Sequence, residues 1–180
     1  MRTRVGYAGG IKENPTYHNL GDYTETLQID YDPNIISYKD LCHLYWETHN
    51  SCYNSYSRQY MSIVFYHDDG QKEIVDKMKN QLEQNNNRKV YTEIIPYTQF
   101  YMAENYHQKY YLQLIREIMS DFKTIYPDFK EFINSTAAAK INGYVKGLGK
   151  LELLIQDIDS FGLSEKAKIR LVEVVEGYRR

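Results

Sequence analysis

Two cysteines, Cys42 and Cys52, stand ten residues apart and supply all the thiol in the chain. A thiolate is a nucleophile and a redox group, but two cysteines make no disulfide framework, and no His/Cys cluster has metal-ligand spacing. Glu104 and His107, three residues apart, invite a metal reading. One such pair is not a site, and the pattern reads more simply as a structural hydrogen-bonded pair. Among the carboxylates, Glu25 opens a strand-like segment, where solvation is the usual fate of a glutamate. The unusual supply is of phenols: 19 tyrosines against 6 phenylalanines and 1 tryptophan. A tyrosine can pack half-buried or line a polar-tipped pocket, and position decides which.

The elements that must carry these groups follow from periodicity. Residues 2–8 read as a strand ended by Gly9-Gly10, and a loop of turn formers runs from Lys12 to Asp22. Thr26 to Tyr31 alternates apolar and polar residues, the period of a half-buried strand stopped by Asp32-Pro33-Asn34. Ser37 is placed to cap a helix through Glu47 with a Leu41, Leu44, Tyr45 stripe. Residues 49–59 are polar and aperiodic. Met61–Tyr66 reads as a strand, 71–84 as a helix broken by Asn85-Asn86-Asn87, and Val90–Ile95 as a strand closed by Pro96. From Tyr106 to Met119 the pattern turns helical. Residues 134–149 carry small residues and three glycines, and 150–159 and 164–178 read as two short helices.

This order implies an α+β domain, a two-layer sandwich with helices on one face of a small, mostly antiparallel sheet. Residues 1–130 form that domain, and 131–180 a C-terminal helical extension packed on it, with no catalytic signature. The length of 180 residues and 42% hydrophobic content suit a globular domain. A net charge of -2, well mixed, argues against nucleic acid or an anionic membrane as partner. No apolar run approaches a membrane span, and the start does not resemble a signal peptide, so a cytoplasmic address is the default.

Seven strings then stand in one register: Val5-Gly6-Tyr7-Ala8-Gly9-Gly10, Asn14-Pro15-Thr16-Tyr17, Gly21-Asp22-Tyr23-Thr24-Glu25, Tyr31-Asp32-Pro33 with Ile36-Ser37-Tyr38, Leu41 with Tyr45-Trp46-Glu47-Thr48-His49, Arg58-Gln59-Tyr60-Met61-Ser62, and Glu104-Asn105-Tyr106-His107-Gln108. Their order and spacing, over roughly residues 3–112, resemble the A-type peptide methionine sulfoxide reductases. The wording around Ser57-Arg58-Gln59-Tyr60 is closer to the branch that includes selenocysteine-containing members. The resemblance implies a ferredoxin-like fold and reduction of methionine-S-sulfoxide, free or in proteins, to methionine. A cysteine or selenocysteine attacks the sulfur and is left as a sulfenic or selenenic acid for a thiol to clear. The sulfoxide oxygen must be protonated or strongly hydrogen-bonded, which calls for a buried acid beside it. By resemblance Glu25 is that acid, and Tyr17 and Tyr60 donate to the same oxygen. The resemblance further implies a monomer with no cofactor or metal, recycled by an external thiol reductant such as thioredoxin.

The family's nucleophile lies in a Gly-Cys-Phe-Trp motif at a strand-to-helix corner, where the helix N-terminus lowers the thiol pKa. That motif is expected upstream of Arg2, which makes this chain an incomplete gene product without turnover of its own. Cys42 matches a leucine of the family and reads as a small core residue, and Cys52 as an exposed bystander or a resolving thiol. The C-terminal third holds no cysteine, although many relatives carry a recycling pair there. Ser55 occupies a place where many relatives have an acid. The alternative to an enzyme is an inactive module that binds oxidised methionine, and a third possibility is a scaffold whose C-terminal helices recruit a partner.

Overall fold

A computed structural model describes residues 1–178. The chain forms two compact units. One comprises Val5–Leu27 and Tyr31–Ala103; the other comprises Met1–Arg4, Gln28–Asp30 and the residues from Glu104 onward.

The 2–8 periodicity becomes strand β1 (Arg2–Ala8), and the next alternating run becomes β2 (Thr24–Asp30). Helix α1 (Tyr38–Glu47) starts where Ser37 predicts. The Ser37 hydroxyl accepts from the Asp40 N–H at 3.1 Å and the Asp40 carboxylate accepts from the Ser37 N–H at 3.1 Å, a capping box that satisfies two end groups the helix cannot. Ser37→Ala should therefore destabilise the chain by about 1 kcal/mol, read as a lower urea midpoint at unchanged slope.

The buried stripe of α1 differs from the expected one. Leu44 is exposed, while Cys42 and Trp46 are buried against Val75, Met78 and Val90, with Tyr38 and Tyr45 packed beside them. Tyr38, Cys42 and Trp46 recur every fourth residue, so one face of the helix carries all three.

Strand β3 (Ile63–Tyr66), helix α2 (Asp69–Asn86) and strand β4 (Glu93–Pro96) follow. The two strands pair in parallel from Ile63↔Glu93 to Tyr66↔Pro96, a βαβ unit within the α+β architecture. Asp68 caps α2 by accepting from the Gln71 N–H, and the helix runs through Asn86 before Asn87 turns left-handed at φ 48°. Strand β4 begins three residues later than the apolar run, because two backbone donors are taken elsewhere. The Val90 N–H goes to the Glu83 carboxylate at 2.9 Å and the Tyr91 N–H to the Ser51 carbonyl at 2.9 Å. A short strand β5 (Phe100–Met102), which the sequence reading does not contain, pairs antiparallel with β1 through Gly6↔Met102 and Ala8↔Phe100. The resulting three-stranded sheet has the order β2-β1-β5.

The second unit is helical: α3 (Tyr110–Gln113), α4 (Arg116–Ile125), α5 (Phe129–Asn134), α6 (Thr136–Tyr144), α7 (Leu151–Asp157) and α8 (Glu165–Gly177). The single helix expected over 106–119 is interrupted. Lys109 is left-handed at φ 49° and only 5% exposed, and its amine donates to the Thr3 carbonyl and hydroxyl at 2.5 and 2.6 Å. Burial, with the Arg4 charge nearby, pushes that amine down to about 8. The Leu112 N–H then leaves the helical pattern for the Asn142 side chain at 3.1 Å. The core of this unit joins Ile118, Met119 and Phe122 to Phe132, Ile141, Leu154, Leu171 and Val175. It thus draws on both sides of residue 130, where the sequence places the boundary between its two regions.

Candidate functional site

Tyr17 sits in the loop between β1 and β2, half-buried against Tyr7, Leu20, Tyr23 and Ala103. The loop starts at Gly9, which is left-handed at φ 80°, and a Cβ there would meet the Phe65 ring at 2.9 Å, so only glycine fits. Asp22 closes the loop. Its carboxylate accepts from the Ile11 N–H at 2.9 Å and the Lys12 N–H at 3.4 Å, and the Ile11 bond is the main reason its pKa falls below the usual carboxylate range.

Glu25 follows the buried Thr24 on β2 and faces solvent. This corrects the expectation of a buried acid: the alternation that buries Thr24 turns Glu25 to the opposite side of the strand, and the described residues give it no apolar cover. Its carboxylate accepts from the Gln59 side-chain amide at 2.7 Å. Tyr60 stands next to Gln59 in a short 3₁₀ turn, Arg58–Tyr60. That turn is clamped on two sides, since the Thr24 hydroxyl donates to the Arg58 carbonyl at 2.7 Å and Arg58 pairs with Glu93 at 2.7 Å.

Tyr60 is 61% exposed and hydrogen-bonded to Tyr17. Its pKa is raised, first by Tyr17, then by partial desolvation and the Glu25 charge. The three residues singled out from the sequence therefore meet: Tyr17 touches Tyr60, and Glu25 acts on Tyr60 and is held by its neighbour Gln59. Two phenol hydroxyls can donate to one acceptor oxygen, and a carboxyl group gathered with them can, in its acid form, protonate it. Gln59 and Thr24 are the supporting residues that the sequence reading leaves without a role. Both lie inside strings already quoted, but nothing local says that they bond across the 34 positions separating each from its partner.

The thiols lie in other surroundings. Cys42 is buried in the α1–α2 core, and burial pushes its thiol above the ordinary value despite a hydrogen bond with Tyr38. Cys52 is half-buried against the same cluster, so it is less exposed than a bystander would be. Neither belongs to the cluster that packs around Tyr17. Ser55 folds back on Ser57, accepting from its N–H at 3.2 Å and donating to its carbonyl at 3.1 Å. At Glu104 and His107, the His107 N–H donates to the Glu104 carbonyl at 3.0 Å within a 3₁₀ turn. Among the described residues, no three His, Cys, Asp or Glu side chains are grouped to hold a metal ion. No helix among them is long and apolar enough to cross a membrane. A hollow along α2, lined by polar side chains from Asp69 to Gln84, includes none of Tyr17, Glu25 or Tyr60.

The fold is that of the methionine sulfoxide reductase A structures. A crystal structure of reduced Mxr1 from Saccharomyces cerevisiae superposes with a TM-score of 0.56 at 30% identity, over 60% of this chain and 68% of that one. Methionine sulfoxide reductase A of Corynebacterium diphtheriae gives 0.51 at 29% identity, over 60% of this chain and 61% of that one. The sequence model of the peptide methionine sulfoxide reductase family matches residues 1–139. The chain belongs to that family. A peptide methionine sulfoxide reductase of Drosophila melanogaster is 40% identical over 168 residues, which cover 91% of this chain and 66% of that protein. An MsrA of Methanosarcina acetivorans is 35% identical over 136 residues, covering 68% of this chain and 72% of its own length. The chain thus spans about two thirds of the fruit-fly relative's length.

Proposed function

We propose that the chain serves the thiol-dependent reduction of methionine-S-sulfoxide, free or in proteins, and that its part is to hold and protonate the sulfoxide oxygen. The observation that carries this reading is the meeting of Tyr17, Tyr60 and Glu25 in a chain of this family. Tyr17 and Tyr60 donate to the oxygen and Glu25 supplies the proton. As a thiolate bonds to the sulfur, the oxygen takes that proton. The hydroxyl then passes to the attacking sulfur as the S–S and S–O bonds at the methionine sulfur break, so methionine leaves and the nucleophile is left as a sulfenic acid. A dithiol such as a reduced thioredoxin then returns it to the thiol, releasing water and forming a disulfide. No cofactor enters this scheme, and we place it in the cytoplasm, in a monomer.

The nucleophile is assigned to a cysteine or selenocysteine outside these 180 residues, because Cys42 is buried and Cys52 packs against the α1–α2 core rather than the cluster around Tyr17. The same observation favours a second reading for the 180-residue chain taken alone, a module that binds oxidised methionine without turnover. Calorimetry with a short peptide bearing methionine-S-sulfoxide, against the same peptide with methionine, tests both. The sulfoxide peptide should bind more tightly, and Tyr17→Phe or Tyr60→Phe should each weaken it by about fivefold, the worth of one hydrogen bond. Equal binding of the two peptides would count against both readings.

A further inference from the structure

The loop that carries Tyr60 runs from the end of α1 to the start of β3, and its two ends are joined by side chains that the function above does not use. His49, just past α1, and Ser62, just before β3, bracket residues 50–61. The His49 Nδ1 lies 2.6 Å from the Tyr45 carbonyl. A carbonyl can only accept, so Nδ1 carries the hydrogen, and in the neutral ring Nε2 is the acceptor. The Ser62 hydroxyl, 2.8 Å from Nε2, must then donate to it. The oxygen of Ser62 is left to accept from the Tyr45 hydroxyl at 2.6 Å and the buried Thr92 hydroxyl at 2.8 Å. Each hydrogen and lone pair of Ser62 is thereby used, and four side chains tie the end of α1 to the starts of β3 and β4.

We infer that His49 and Ser62 are positioning residues for Tyr60: their hydrogen bond closes the base of the 50–61 loop and holds the Tyr60 hydroxyl against Tyr17. The inference rests on the reading of Tyr60 as a donor to the sulfoxide oxygen. Beyond Ser51 and Cys52, the loop's tyrosines add little burial to order it, since Tyr56 is 99% exposed and Tyr53 and Tyr60 are each 61% exposed. Its other anchors are the Tyr91 N–H to the Ser51 carbonyl, the Tyr53 N–H to the Asn50 carbonyl, the Ser55–Ser57 turn, and the bonds of Arg58 and Gln59 to Thr24, Glu93 and Glu25. Between Gln59 and the start of β3, the side-chain tie at Ser62 is therefore the one that follows Tyr60. Opening the base lengthens the free segment and restores motion to the side chain two residues before Ser62. Ser62 is the member whose loss removes all three contacts, and His49 the member that a glutamine can imitate, because its amide also offers one acceptor and one donor.

The test reads the position of Tyr60 directly. In the wild-type chain, with tyrosines labelled at ¹³Cζ and the Tyr60 signal assigned from Tyr60→Phe, Tyr60 should titrate above an ordinary tyrosine because of Tyr17 and Glu25. In Ser62→Ala the titration should move down towards the ordinary value, and affinity for the methionine-S-sulfoxide peptide should fall by about fivefold. In His49→Gln both should stay near wild type, while His49→Ala should behave as Ser62→Ala does. Circular dichroism identifies a variant that has lost its fold, in which case the His49→Gln and His49→Ala pair decides. An unchanged Tyr60 titration in folded Ser62→Ala and His49→Ala overturns the inference, whatever the peptide does. A Tyr60 titration that responds, in a wild-type chain that binds sulfoxide and sulfide peptides equally, supports the positioning and removes the function proposed above.

Discussion

Glu25→Gln is expected to lower the rate of sulfoxide reduction by about 10²–10⁴-fold, the range for loss of a general acid, in a chain given a Gly-Cys-Phe-Trp segment ahead of Arg2. The 180-residue chain alone, incubated with dithiothreitol and a methionine-S-sulfoxide peptide, is expected to yield no methionine above background by chromatography. The two halves of this prediction have separate causes. Cys42 is buried with a raised thiol pKa, so it presents little thiolate, and Cys52 packs against the same cluster. Glu25 is exposed and bonded to Gln59. Only the longer chain carries the added thiol, so the substitution should matter greatly only there. Tyr17→Phe and Tyr60→Phe should each cost less than Glu25→Gln, since one donor remains when the other is removed. Methionine formed by the 180-residue chain and lost on Cys52→Ser would show that the loop thiol is the nucleophile. A longer chain indifferent to Glu25→Gln would remove Glu25 from the mechanism.

Phe122→Ala should destabilise the helical unit by about 3–5 kcal/mol. Phe122 is fully buried, lies parallel to Tyr126 with ring centroids 5.8 Å apart, and meets Phe132 edge-on at 5.6 Å. Removing the ring leaves a cavity beside Tyr126 and Phe132 that backbone held in several short helices closes only in part. The exposed Ile169 on α8 provides the comparison, and Ile169→Ala should change stability by less than about 0.5 kcal/mol. Urea unfolding followed by circular dichroism measures both. A Phe122→Ala chain within about 1 kcal/mol of wild type would mean that the core of this unit repacks freely, and the cavity argument would fail.

Signals that are complete within a few residues were legible in the sequence. Ser37 with Asp40 is a helix start whose two partners lie three positions apart, and α1 begins there. The alternation of 2–8 and the run before Tyr66 became strands, and the stripes of 150–159 and 164–178 became α7 and α8. The seven strings placed the chain in its family because their register is itself a sequence property. They named Tyr17, Glu25 and Tyr60, which the fold brings together.

What only the tertiary structure decided depends on partners far along the chain. The helical pattern of 106–119 is sound by periodicity, yet it breaks at Lys109 because that amine finds Thr3, more than a hundred residues away. The run from Val90 is apolar enough for a strand, but its first donors are claimed by Glu83 and Ser51. Glu25 has one identity in the sequence and two possible fates, and its exposure is set by which neighbours cover it. The bond between His49 and Ser62 is invisible in a reading that lists 49–59 as an aperiodic polar loop. A backbone preference is set within one turn or one pleat, whereas the satisfaction of a donor, the cover over a carboxylate and the closing of a loop depend on atoms that only folding brings near.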